Sequence, residues 1–183
     1  MNANKSNYVI ADFDCEYLAN YVPNGLHPAT IGDHLANGRY RILHKLGWGG
    51  SSTVWLARDL CPHSSSSDPS RLVSVKIMAA WETSRLIDKT THPSLLIPTK
   101  LRQIARDIGS SSFDHVQSIE DHFTETGPNG THLCLVSPFA GPTLSMIVPY
   151  GMQPRLGVAK GLVKQVCSVI ALMHANGFVH GGT

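Results

Sequence analysis

The sequence is poor in net charge. Fifteen Lys and Arg stand against thirteen Asp and Glu in 183 residues, a formal balance of +2. A protein dedicated to nucleic acid or to an anionic membrane surface shows a basic patch or stripe, and none stands out here, so neither partner is expected. Aromatic residues make up only 7%, yet the hydrophobic share of 42% is that of a globular chain, which excludes wholesale disorder. Cysteine is scarce as well. Cys15, Cys61, Cys134 and Cys167 lie far apart and form no CxxC pair, which excludes a disulfide scaffold and reads as reduced thiols in a cytoplasmic or nuclear protein. No apolar run approaches a membrane span, and the opening MNANKSNYVIADFD lacks the apolar stretch of a signal peptide.

Glycine, by contrast, is plentiful and unevenly placed. Gly47, Gly49 and Gly50 crowd into LGWGGSSTVWLARD, between two segments that otherwise read as strands. Glycine weakens a strand, so its presence there means either a hairpin turn or a close approach to the backbone. The preceding RYRILHKLG and the following STVWLARD flank this turn. Beyond the Ser/Pro-rich loop CPHSSSSDPSR, the stretch LVSVKIMAA alternates, with Val73, Val75 and Ile77 on one face and Ser74 and Lys76 on the other. Three such strands predict an antiparallel meander.

The rest of the chain divides less evenly. Residues 1–36 are turn-rich and read as an extended lead-in, in which Asp12, Asp14 and Glu16 form a solvated acidic segment. LLIPTKLRQIARDI has Leu101, Ile104, Ala105 and Ile108 at helical spacing, with Pro98 near the start. DHVQSIEDHFTE and GTHLCLVSPF are two further strand candidates joined by a TGPNG turn. The clearest helix is RLGVAKGLVKQVCSVIALMHANG, where Ala159, Leu162, Val163, Val166, Ile170 and Met173 recur at three- and four-residue steps. Asn176-Gly177 marks its stop. His115 and His122 are seven apart with no second pair nearby, so a metal site is not expected from them.

A glycine hairpin followed about 25 residues later by a strand with a lone lysine is a phosphate-binding arrangement. Small residues let backbone N–H groups close over phosphates, and the lysine adds a point charge. With that pairing the sequence resembles the protein-kinase small lobe. LGWGGSSTVWLARD, GLHPATIGDHLANGRY and NGTHLCLVSPFAGPTL resemble the SR-protein kinase (SRPK-like) serine/threonine kinases of the fungal type, over roughly residues 14–183. The resemblance implies an α+β fold: a five-stranded antiparallel sheet plus one helix, a hinge and the first helices of a large lobe. The corresponding divisions are an N-terminal extension (1–38), a small lobe (39–137) and a hinge with an incomplete large lobe (138–183).

Carried over by position, the ATP-binding loop would run through Leu46, Gly47, Trp48, Gly49, Gly50, Ser51, Ser52, Thr53 and Val54. Ser52 stands where a third glycine is common, and Leu46 and Val54 would cover the adenine. Ser74 takes a place usually held by alanine, and Lys76 would be the phosphate-binding lysine. Ser137 would be the gatekeeper of a hinge running to Ala140, in which Pro138 removes one backbone donor and Phe139 and Ala140 reach the adenine edge.

Two departures qualify the resemblance. The helix after the lysine strand should offer a glutamate to Lys76, but alignment puts Lys100 there, which would repel it; Glu82, the one glutamate between them, is too close in sequence to be the usual partner and stands only as a substitute candidate. The catalytic loop H-[RG]-D begins in VHGGT, where His180 and Gly181 match and Gly182 takes the place of the catalytic aspartate. The later asparagine and D-F-G metal site do not occur before residue 183. The expectation is a truncated, catalytically inactive SRPK-type kinase with weak or absent ATP binding and magnesium only by family analogy. The alternatives are a non-catalytic, pseudokinase-like module that binds nucleotide or protein, and a degenerate gene fragment. Family analogy suggests Ser/Arg-rich protein substrates. The apolar 156–175 helix is expected to self-associate or to meet a protein partner.

Overall fold

The computed structural model describes residues 16–61, 71–85, 92–109, 115–141 and 154–179. Six antiparallel strands form one sheet in the order β1-β2-β3-β4-β6-β5. They are β1 (His34–Leu35), β2 (Tyr40–Gly49), β3 (Ser52–Asp59), β4 (Leu72–Met78), β5 (Asp121–Gly127) and β6 (Gly130–Pro138). Among the described residues three α-helices accompany them: α1 (Ala80–Ser84), α2 (Pro93–Asp107) and α3 (Leu156–Ala175). The α+β small-lobe architecture expected from the sequence is therefore present. The sheet has six strands rather than five because the lead-in adds a two-residue strand, with His34 opposite Arg41 and Leu35 opposite Tyr40.

The alternation in β4 decides which face is the core. Val73, Val75 and Ile77 join Tyr40, Ile42, Trp55, Ala57, Cys134 and Val136 in one buried cluster. Each such aliphatic side chain removed from water contributes about 1.5–3 kcal/mol. On the opposite face Met78, Leu133 and Leu135 form a second cluster, packed by Leu95 of α2 and by Ile119. The sheet curls around the first cluster until β2 and β5, well separated in strand order, touch. Tyr40 stacks on Phe123 with ring centroids 5.6 Å apart, and its hydroxyl donates to Asp121 Oδ2 at 2.7 Å. Arg39 forks onto Asp59 with Nε and Nη2 at 3.0 Å each, and reaches Asp121 with Nη1 at 2.8 Å. Planar two-bond pairing of this kind fixes orientation as well as charge.

The lead-in packs tightly on the lobe. The Asn24 N–H donates to the Asn129 carbonyl at 2.7 Å, and the Asn24 and Gly25 carbonyls accept from Trp81 and Ala80 at 2.9 Å. A Cβ on Gly25 would lie 2.2 Å from the Asn20 carbonyl oxygen, so this approach needs glycine. Glu16 is not solvated, as the acidic-segment reading had it. It is buried and bonded by Lys45 and by the Tyr21 hydroxyl. Burial pushes its carboxyl up, but those hydrogen bonds outweigh burial and hold it below the usual carboxylate value. Asp12, Asp14 and Cys15 lie outside the described residues.

One helix differs from expectation in its start. α2 begins at Pro93, with His92 as its N-cap, so Pro98 sits inside the helix. Proline at the first position is favourable there because its missing N–H would be unpaired anyway. The five-residue α1 lacked any period to reveal it. The segment DHVQSIEDHFTE becomes a strand only from Asp121. α3 runs from Leu156 to Ala175 and ends at Gly177 with φ +76°, the stop expected from Asn176-Gly177.

The C-terminal end of α3 packs on α2, with Leu172 against Leu101 and Ala105. Leu156, Val158, Val163 and Val166 are more than half exposed. Although Lys160 and Lys164 interrupt its sequence, α3 is long and apolar enough to cross a membrane by length and composition, with 11% of the tested span buried. That revises the reading that no run approaches a span.

Candidate nucleotide-binding site

β2 and β3 meet at a tight turn, with Gly49 opposite Ser52. Two bulges break their register, between Ile42 and His44 and between Lys45 and Gly47. Each bulge adds a residue to β2 and bends it, so the hairpin arches rather than lying flat. Its tip is tied to the end of β4 by the Ala79 N–H, which donates to the Ser51 carbonyl at 2.8 Å. Beneath the arch, between the polar face of β4, α2 and the end of β6, lies a cavity of about 960 Å³. That is within the range of small-molecule sites.

Nine residues singled out from the sequence line this cavity: Leu46, Gly47, Trp48, Val54, Ser74, Lys76, Ser137, Phe139 and Ala140. Gly49, Gly50, Ser51, Ser52 and Thr53 do not. Thr53 is fully buried and turned away, its hydroxyl accepting from Trp55 Nε1 at 3.0 Å. Ser52 is buried as well. The sequence reading missed other lining residues, among them Ser94 and Pro98 on one face of α2, Gln117, Ile119 and Leu135. Gln117 Nε2 donates to the Ser137 hydroxyl at 3.0 Å and to the Pro138 carbonyl at 3.1 Å, which holds the hinge entry. Ser74 and Ser137 face each other across β4 and β6, placing two buried hydroxyls on the floor beside Leu135 and Lys76.

Two lysines line the cavity: Lys45, which is paired with Glu16, and Lys76. Lys76 is the one on the cavity floor. It is opposite Val54 on β3 and Leu135 on β6, in the middle of the sheet. Burial pushes its ammonium pKa down, and the carboxylate opposing that is Glu82 of α1. Lys100, expected to repel Lys76, is exposed on α2. The predicted catalytic-loop positions His180 and Gly182 lie outside the described residues. Among the described residues no three His, Cys, Asp or Glu side chains gather as a metal site. His115 and His122 are exposed.

An arched glycine hairpin over a cavity, with a lysine on the next strand and a hinge at its far end, defines the small lobe of a protein kinase. A crystal structure of a kinase domain matches this fold with a TM-score of 0.55 at 17% identity, over 81% of this chain and 38% of that one. The chain is related to the serine/threonine kinases of the SRPK type. It is 35% identical over 153 residues to protein kinase dsk1 of Schizosaccharomyces pombe, covering 82% of this chain and 25% of that protein. Against the serine/threonine-protein kinase SKY1 of Saccharomyces cerevisiae the identity is 31%, covering 90% of this chain and 21% of that one. SRSF protein kinase 3 of Homo sapiens is 31% identical, covering 89% of this chain and 27% of its own length. The chain thus spans about a quarter of the length of these relatives. No protein-family model matches it.

Proposed function

We propose that this chain forms the ATP-binding part of an SRPK-type serine/threonine protein kinase. The observation that carries the reading is the cavity itself. Its roof is aliphatic (Leu46, Val54), a half-buried ammonium (Lys76) projects into it, and backbone at Phe139 and Ala140 edges it. Leu46, Val54 and Leu135 would sandwich an adenine, backbone groups at Phe139 and Ala140 would meet its edge, and Lys76 would meet phosphate oxygens. ATP supplies the transferable phosphoryl group. Magnesium enters by analogy with kinases alone. Ser/Arg-rich proteins are the substrates that the relatives suggest.

A second reading is favoured by Gly182. Without a carboxylate at that position, residues 1–183 bind nucleotide but do not transfer phosphate, because the group that would take the hydroxyl proton is lacking. Contacts to the adenine come mainly from backbone and aliphatic groups, so weak affinity of about 0.1–1 mM is expected, about −4 to −5.5 kcal/mol. Calorimetric titration of ATP into the chain, with and without magnesium, tests both readings beside a phosphate-transfer assay on a Ser/Arg-rich peptide. Lys76→Ala is expected to weaken binding. Unchanged binding would put the lysine outside the site, and transfer of phosphate would overturn the second reading.

A further inference from the structure

The hinge end of the cavity holds hydrogen-bonding groups that the nucleotide contacts above leave unused. Gln117 Nε2 lies 3.0 Å from the Ser137 hydroxyl oxygen and 3.1 Å from the Pro138 carbonyl oxygen. A carbonyl only accepts, so the amide nitrogen is the atom that faces Pro138, and it donates to both oxygens. The Ser137 hydroxyl is therefore an acceptor in this contact, and its own proton points elsewhere. Among the described residues that proton meets no acceptor, and neither does the proton of Ser74, its neighbour across β4 and β6. Both serines line the cavity, Ser74 at 7% exposure and Ser137 at 9%. Leu135, Val116 and Ile119 make the wall around them apolar. Two buried donors without acceptors in such a wall mark a place for an acceptor carried by a ligand.

We propose that Ser74, Ser137 and Gln117 form a base-selecting subsite that takes the oxygen of a 6-oxopurine, as in guanosine or inosine triphosphate. The proposal rests on the nucleotide reading, in which backbone at Phe139 and Ala140 meets the purine edge. A purine held there by N1 carries its C6 substituent beside Pro138 and Ser137. In adenine that substituent is an amino group, which must donate. Pro138 has no N–H, and its carbonyl already accepts from Gln117, so the amino group competes for an acceptor in use. The Ser137 oxygen is in use by the same amide. A 6-oxo group instead accepts, and meets the unspent Ser137 proton with the Ser74 hydroxyl beside it. Gln117 selects at one remove: by occupying the acceptors it leaves this corner a donor. ATP remains a ligand, held through its ring faces and phosphates.

Calorimetric titration of ATP, GTP and inosine triphosphate (ITP) into the chain, without magnesium, reads the base preference. ITP isolates the 6-oxo group from the 2-amino group of guanine. It is expected to bind about three- to tenfold more tightly than ATP, the worth of one net hydrogen bond. Ser137→Ala removes the donor and should bring ITP close to the affinity of ATP, whereas Ser137→Thr keeps a hydroxyl and should keep the preference. Gln117→Leu frees the Pro138 carbonyl and should strengthen ATP relative to ITP. A purely structural defect weakens every nucleotide together and leaves their ratio alone. ATP binding the parent chain as tightly as ITP, or a ratio unmoved by Ser137→Ala with circular dichroism showing a folded chain, would overturn the inference while the nucleotide reading stands. No binding by any of the three at about 10 mM would overturn that reading and the inference with it.

Discussion

Replacing Thr83 by valine probes the joint that carries α1. The Thr83 hydroxyl does two things: it donates to the Ala79 carbonyl at 3.1 Å and accepts the Leu133 N–H at 2.9 Å. β4 ends at Met78, so the first part of β6 has no β4 partner on that side, and the Thr83 side chain takes the place of a strand. Valine has nearly the same shape. The Ala79 carbonyl keeps a donor, because the Thr83 backbone N–H reaches it at 3.0 Å. The cost therefore falls on one group, the Leu133 N–H, in a residue 1% exposed. A buried donor left without an acceptor costs about 1–3 kcal/mol. In a chain of this size each kcal/mol lowers Tm by about 2–4 °C, so the shift should be about 2–12 °C. Thr83→Ser keeps the hydroxyl and loses one methyl, for about 0.8 kcal/mol. Urea unfolding of both variants checks the ordering. A valine variant as stable as the parent, or a serine variant equally damaged, would refute the reasoning.

Three histidines give the fold a pH dependence. Burial holds His27, His92 and His132 below their ordinary value of 6.5, so the unfolded chain binds more protons than the folded one below that value. Stability is then full above about pH 6.5 and falls as the pH drops beneath it, and equal Tm values at pH 7.5 and pH 5.5 would contradict this. Arg39→Ala removes a two-bond fork from Asp59, which is 3% exposed, and should cost about 3 kcal/mol in urea unfolding. A loss under 1 kcal/mol would mean that the curl of the sheet does not depend on this clamp.

Much of the lobe was legible because its signals are local. The alternation in LVSVKIM, the glycine turn and the three- and four-residue steps of α3 each name an element without help from the rest of the chain. What was missed depends on distant partners. β1 is two residues long and exists because Arg41 and Tyr40 offer it an edge. Glu16 reads as solvated until Lys45 and Tyr21 close on it. Pro98 drew the start of α2 too late, although His92-Pro93 carried the better signal, a cap followed by proline. The cavity was half legible. The residues on β2, β3 and β4 follow from the glycine–lysine pairing, whereas Gln117 and Ser94 come from segments with no period of their own. Alignment along the sequence put Lys100 beside Lys76 and kept Glu82 only as a substitute; the fold leaves Lys100 exposed on α2, and Glu82 bears on Lys76 from an element too short to announce itself.

The central claim is that a nucleotide occupies the space between the arched hairpin and Lys76. Backbone amide shifts recorded by NMR during ATP titration test it most directly. The account predicts saturable changes with a dissociation constant of about 0.1–1 mM. They should be confined to the amides around Gly47, Val54, Ser74, Lys76 and Ala140 and absent from the exposed β5 positions His122 and Thr124. Changes centred elsewhere, or none at ATP concentrations about tenfold above that range, would contradict it.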